Sequence, residues 1–91
     1  MNKETLYYPN GKVYAKLNDD EHRYYYKDGK LKTVQHYFEG RLHGFALLYW
    51  PNGQLKRKVH FQFGVRVGFD EMWNREGILV DKGNYENGKL V

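Results

Sequence analysis

Glycine recurs along this chain at a fixed step, and that step constrains the fold more than any other feature. Gly29, Gly53 and Gly77 lie 24 residues apart, as do Gly40, Gly64 and Gly88, and as do Gly44 and Gly68. Gly11 joins the first set at a spacing of 18, so nine of the ten glycines share one lattice and Gly83 alone stands outside it. Such a period marks a repeat architecture whose terminal unit is atypical. The units of this single domain run over residues 1–22, which is truncated, then 23–44, 45–68 and 69–91.

Side chains hold the same register. Tyr7, Tyr25, Tyr49 and Trp73 each stand four residues before a lattice glycine, and Val13, Leu31, Leu55 and Leu79 each stand two after one. Tyr37, Phe61 and Tyr85 form a third column, and Phe45 and Phe69 a fourth. A column on every unit is what stacked hairpins need to bury a continuous surface, so these rings read as packing rather than as a ligand box.

Between the columns, "YPNGK", "KDGK", "WPNGQ" and "NREGI" punctuate short stretches of alternating polarity, which predicts hairpins. In "WPNGQ", Pro51 and Asn52 suit a type I turn and Gly53 the left-handed residue of the bulge that closes it, so Trp50 pairs with Gln54. Continued regularly, that register opposes Tyr49 to Leu55, Leu47 to Arg57 and Phe45 to Val59, and it puts the hydrophobic columns on one face. Strands are expected near residues 5–8, 12–17, 23–26, 30–38, 45–50, 54–62, 69–74 and 78–85, with a short last one at 89–91. The expected fold is all-β, an antiparallel β-meander of about eight strands with almost no helix.

The pattern "G-F-x-x-x-Y-x-x-x-G-x-L-x-x-x-x-x-F/Y-x-x-G-x-x-x-G", read from Gly44 to Gly68, resembles the MORN repeat, in the variant form found in bacterial antitoxin-like proteins. The resemblance covers most of the chain and departs in the last unit at Asn74, Asp81 and Gly83. It implies an open, twisted single sheet built from hairpins, and binding rather than catalysis. Other members of the wider family imply scaffolding and contact with phospholipid.

Composition excludes several other functions. There is no serine, only Thr5 and Thr33 as threonines, and no cysteine, so neither a nucleophile elbow nor a disulfide framework is available. The carboxylates of Asp19-Asp20-Glu21 and Asp70-Glu71 fall in a turn and at a strand start, with no pocket on which to converge. His36 and His60 occupy equivalent positions two strands apart, roughly 9.5 Å by strand spacing, too far to share a zinc ion. No enzyme activity, metal or cofactor is expected. The start "MNKETLYYPNG" lacks the apolar run of an export signal, which makes the cytoplasm the expected location. The longest apolar stretch, Phe45 to Trp50, is too short to cross a bilayer as a helix.

The formal charge of +4 and a pI near 9.3 permit attraction to acidic proteins, nucleic acid or anionic membranes. Lys32 and Lys56 form one basic column, Lys16, Lys58 and Lys82 another, and His36 and His60 a third. By strand alternation Lys56 and Lys58 are expected on one side and Arg57 on the other, with Tyr8, Tyr26 and Trp50, and Leu6, Tyr24, Leu48 and Met72, on that basic side. The candidate partner-binding residues are therefore Tyr26, Lys32, Leu48, Trp50, Lys56, Lys58 and His60. Acidic interruptions at "DDEH", Asp70-Glu71 and Glu76 favour a protein partner over nucleic acid. The expected function is a small antitoxin- or immunity-like inhibitor that occludes a toxin or nuclease. A mobile-element, anti-CRISPR-like inhibitor of a host defence nuclease and a scaffold on anionic phospholipid membrane are the alternatives. Open sheet edges also make a homodimer plausible.

Overall fold

Turn chemistry and alternating polarity together produce a meander. The structure, a computed structural model, describes residues 3–91; residues 1–2 of the truncated first unit lie outside the described residues. Ten strands follow in order: β1 (Glu4–Tyr7), β2 (Val13–Leu17), β3 (Glu21–Tyr25), β4 (Leu31–Phe38), β5 (Arg41–Tyr49), β6 (Leu55–Gln62), β7 (Val65–Arg66), β8 (Gly68–Trp73), β9 (Leu79–Glu86) and β10 (Lys89–Leu90). They form one open sheet in the order β1-β2-β3-β4-β5-β6-β8-β9-β10, with β7 paired to β6, and every pairing is antiparallel. Among the described residues there is no helix.

Apart from the β2–β3 turn at Asp19-Asp20, two kinds of turn alternate along the meander. At the end of the sheet that carries Gly11, Gly29, Gly53 and Gly77, the hairpin bonds are those expected from "WPNGQ": Gly53 N–H donates to the Trp50 carbonyl at 2.9 Å and Trp50 N–H to that of Gln54 at 2.8 Å. At the other end, Glu39-Gly40, Phe63-Gly64 and Asn87-Gly88 are tight two-residue turns with positive φ at both positions, the geometry that matches strand twist. These tight turns explain the strand count. They let β5 begin at Arg41, four residues before the expected start, and create the short strands β7 and β10.

The sheet is a single layer. Its Cα extents are 44 × 36 × 12 Å, and among the described residues only Ala15, Val34, Ala46, Val59 and Asp70 are buried. Apolar burial is therefore spread over many half-covered side chains on neighbouring strands rather than collected in a core.

The expected face assignment needs correcting, because every hairpin of the first kind contains a second bulge. Tyr49 opposes Leu55, but Leu48 then opposes Arg57, so Lys56 is an extra residue. Tyr14, Lys32 and Val80 are extra in the same way. Leu47 consequently pairs with Lys58 and Phe45 with His60, not with Arg57 and Val59. Because a one-residue slip turns every later side chain to the opposite face, the columns are divided. Tyr25, Tyr49, Trp73, Leu31, Leu55 and Leu79 lie on what we term the back. Tyr37, Phe61 and Tyr85 lie on the front, with the row Leu6, Ala15, Tyr24, Thr33, Leu48, Arg57, Met72 and Asp81. Neither face is the bare reverse of a hydrophobic one.

Candidate functional site

Five of the seven candidate residues share the front. Tyr26 and Trp50 follow Tyr24 and Leu48 by strand alternation, and the bulge residues Lys32 and Lys56 hold their ammonium groups 5.6 and 4.5 Å from the centres of those two rings. Lys58 and His60 are on the back. There Lys58 lies 4.5 Å over Phe45, on which the His60 imidazole is stacked at 4.7 Å. The bulge at Lys56 thus separates Lys56 from Lys58, and the expected common basic side does not exist. The Lys16, Lys58 and Lys82 column and the His36 and His60 column belong to the back, whereas Lys32 and Lys56 accompany Tyr8, Tyr26 and Trp50 on the front.

The front aromatics at the turns hold neighbouring hairpins together. Tyr8 Oη donates to the Tyr25 carbonyl at 2.6 Å, Tyr26 Oη to that of Tyr49 at 2.6 Å, and Trp50 Nε1 to that of Trp73 at 2.9 Å. Asn10 and Asn52 repeat the move one turn out, onto the Lys27 and Arg75 carbonyls. The Arg75 guanidinium covers the Trp50 ring from 5.1 Å. Trp50 therefore has its indole N–H engaged within the chain and cations over its ring. It is a packing residue first, as is Tyr26, and Leu48 and Lys56 beside them are half-buried.

Beside Leu48 the front is hollowed. One depression of about 180 Å³ is lined by Gln35, Leu42, Ala46, Leu48, Val59 and Phe61 and ends at Arg57 and Arg66. A second, of about 280 Å³, continues from those arginines past Asp70 to Met72, Tyr85 and Leu90. Arg57 grips Asp70 with two bonds, Nε to Oδ1 at 3.0 Å and Nη2 to Oδ2 at 2.6 Å, and Arg66 Nη1 stands 3.4 Å from Oδ2. Arg66 also stacks 4.5 Å over Tyr85. Asp70 is 8% exposed. Hydrogen bonding from Arg57 outweighs the opposing effect of burial and, with the charge of both arginines, holds its carboxyl below the usual range. The same bonds push the Arg57 guanidinium up.

Sequence reasoning missed this cluster, although a signal was present. Thr33, Leu42 and Ala46 stand 24 residues before Arg57, Arg66 and Asp70, so three neutral positions become charged together. It also missed the back-side group of Phe38, His43 and Phe63, whose rings meet at 4.6 to 6.1 Å. Phe63 has φ 47° in the turn column shared with Glu39 and Asn87, a place where a bulky side chain is strained. Among the described residues no group of histidines and carboxylates is arranged to hold a metal ion.

The comparisons with known proteins agree with this architecture. A family model described as the MORN repeat variant matches residues 2–18, 21–39 and 42–62, which is more than half of the chain. The longest unmatched stretch, 63–91, holds β7 and the last hairpin, where Asn74, Asp81 and Gly83 depart from the pattern. No curated protein and no solved structure matches the chain. MORN repeats generally form non-catalytic scaffolds that bind proteins or membrane lipids. The period of 24, the hairpin sheet and the model match make this chain a member of the MORN repeat variant family.

Proposed function

We propose that the protein is a non-catalytic inhibitor that works by occlusion, covering a functional surface of a partner protein with the front of its sheet. The observation that carries this reading is the pair of depressions meeting at Arg57 and Arg66. Apolar walls at Leu42, Leu48 and Phe61 adjoin donors that are left over on Arg66, with the ring-bound cations Lys32 and Lys56 on the same face. Central apolar and arginine groups of this kind dominate the energetics of protein interfaces. A partner that suits them offers an apolar side chain with a carboxylate beside it, as the acidic surface of a toxin or nuclease does. The cytoplasm, where such a partner works, is part of the same proposal.

The test is capture and inhibition with face-specific variants. Leu48→Glu on the front should abolish capture of the partner from the native host, whereas Lys58→Glu on the back should leave it within about twofold of wild type. Circular dichroism should be unchanged in both. Equal loss in the two variants, or none in Leu48→Glu, would reject front-face docking.

A further inference from the structure

The outer edge at β9 carries residues unsuited to an edge. Along Leu79 to Lys82 this strand has a neighbour on one side only, since β10 pairs with Tyr85 and Glu86, and Val91 N–H reaches the Asn84 carbonyl at 2.8 Å. Free edges are ordinarily guarded by charge, above all by lysine. The interior hairpins carry polar residues at the corresponding places, Lys30 and Gln54 at one position and Lys32 and Lys56 at another. In the last hairpin those positions hold Ile78 and Val80, 61% and 60% exposed, with exposed Leu79 between them. The opposite edge, β1, presents Tyr7 at 63% exposure and Leu6 beside it.

We propose that β9 of one copy pairs with β1 of a second copy, head to tail, extending the sheet in its own repeat register. Each junction between hairpins follows one rule. Ala15 pairs with Tyr24 and Lys16 with Arg23, Thr33 with Leu48 and Val34 with Leu47, Arg57 with Met72 and Lys58 with Glu71. Carried one step on, the rule sets Asp81 against Leu6 of the second copy and Lys82 against Thr5 of the second copy. Both pairings match front to front and back to back. They also bring Leu79 beside Tyr7 of the second copy on the back, so an exposed apolar residue of each edge covers the other.

A symmetric β9–β9 dimer is disfavoured by parity. Antiparallel two-fold pairing places one residue opposite itself, and a centre at Asp81 or Lys82 opposes like charges. A centre at Gly83 runs into β10, and one at Val80 falls on the bulge. The cross-hairpin donors also stop at this edge. Asn74 occupies the place of Tyr26 and Trp50 in the repeat, and its Oδ1 is bonded to its own turn through Glu76 and Ile78 N–H. The junction rests on strand pairing and apolar contact alone.

Head-to-tail contact does not close on itself, so it predicts growth beyond a dimer. Sedimentation equilibrium of the chain alone should show average mass rising from 10.9 kDa with concentration and passing twice that value without a plateau. Ile78→Gln with Val80→Lys, which restores the interior residues, should hold the chain monomeric, and so should Tyr7→Lys on the other edge, both with unchanged circular dichroism. An equimolar mixture of the two blocked variants retains one sound β9 and one sound β1, and should stop at a dimer. A wild type that stays monomeric, a plateau at two copies in the wild type, growth that survives either block, or a mixture that fails to pair would each overturn the proposal.

Discussion

Thr33, Leu42 and Ala46 in one unit and Arg57, Arg66 and Asp70 in the next stand at the same places of the repeat, yet the first trio is neutral and the second is held together by charge. The backbone slots are the same: Thr33 pairs with Leu48 as Arg57 pairs with Met72. The difference teaches that the hairpin lattice fixes where side chains meet but not how they hold one another. It also shows where the chain has given up cheap neutral packing for a costlier arrangement. A nearly buried carboxylate between two arginines must recover its desolvation through geometry, and uncharged residues in the same place carry no such ionic cost.

The largest expected effect comes from breaking the charged trio at its centre. Asp70→Ala leaves two guanidinium groups facing each other and should lower unfolding stability by about 2–3 kcal/mol in urea titrations at neutral pH. Grafting the neutral trio whole, as Arg57→Thr, Arg66→Leu and Asp70→Ala together, should recover all but about 1 kcal/mol of that loss. Acid sharpens the same comparison. The Asp70 carboxyl is held below its ordinary range by Arg57 first and then by the charge of both arginines, so its stabilisation is full above the unfolded value, about pH 4, and is lost as pH falls through the folded one. Urea midpoints of wild type measured from pH 7 to pH 3 should therefore fall more steeply at the acid end than those of the triple variant.

Smaller effects separate the junctions. Trp50→Phe keeps a ring under Lys56 and Arg75 but removes the bond to the Trp73 carbonyl, and it should cost about 1 kcal/mol. Tyr26→Phe should cost a similar amount at the preceding junction, and a clear inequality would show that the two junctions are not equivalent. The smallest change runs the other way. Phe63→Asn puts in the left-handed turn position the residue type that stands there as Asn87, and should raise stability by about 0.5 kcal/mol, read as a shift in the thermal midpoint.

Most of the fold was legible because glycine and the turn residues act locally. The turn at "WPNGQ", the pairing of Trp50 with Gln54, the meander and the single sheet all follow from residues that admit few backbone conformations. The bulge at Lys56 does not. Its counterparts Tyr14, Lys32 and Val80 share no chemistry, and the slip comes from how two twisted strands meet beyond the turn. That single residue decides the face of Phe61, Lys58 and His60, so candidate residues expected on one side are divided between two. The Arg57, Arg66 and Asp70 cluster was hidden for another reason. Each of the three looks ordinary alone, and only comparison with the residues 24 before them shows that they changed as a set.

The bonds from Tyr8, Tyr26 and Trp50 run in one direction, always from the earlier hairpin's side chain to the later hairpin's backbone. Trimming the molecule from its two ends is therefore not an equivalent injury. Removing the first hairpin merely exposes a carbonyl, which water can serve. Removing the last takes away both the acceptor of the Trp50 indole N–H and the Arg75 guanidinium over its ring, so shortening from the C-terminal side should be the harder loss to absorb.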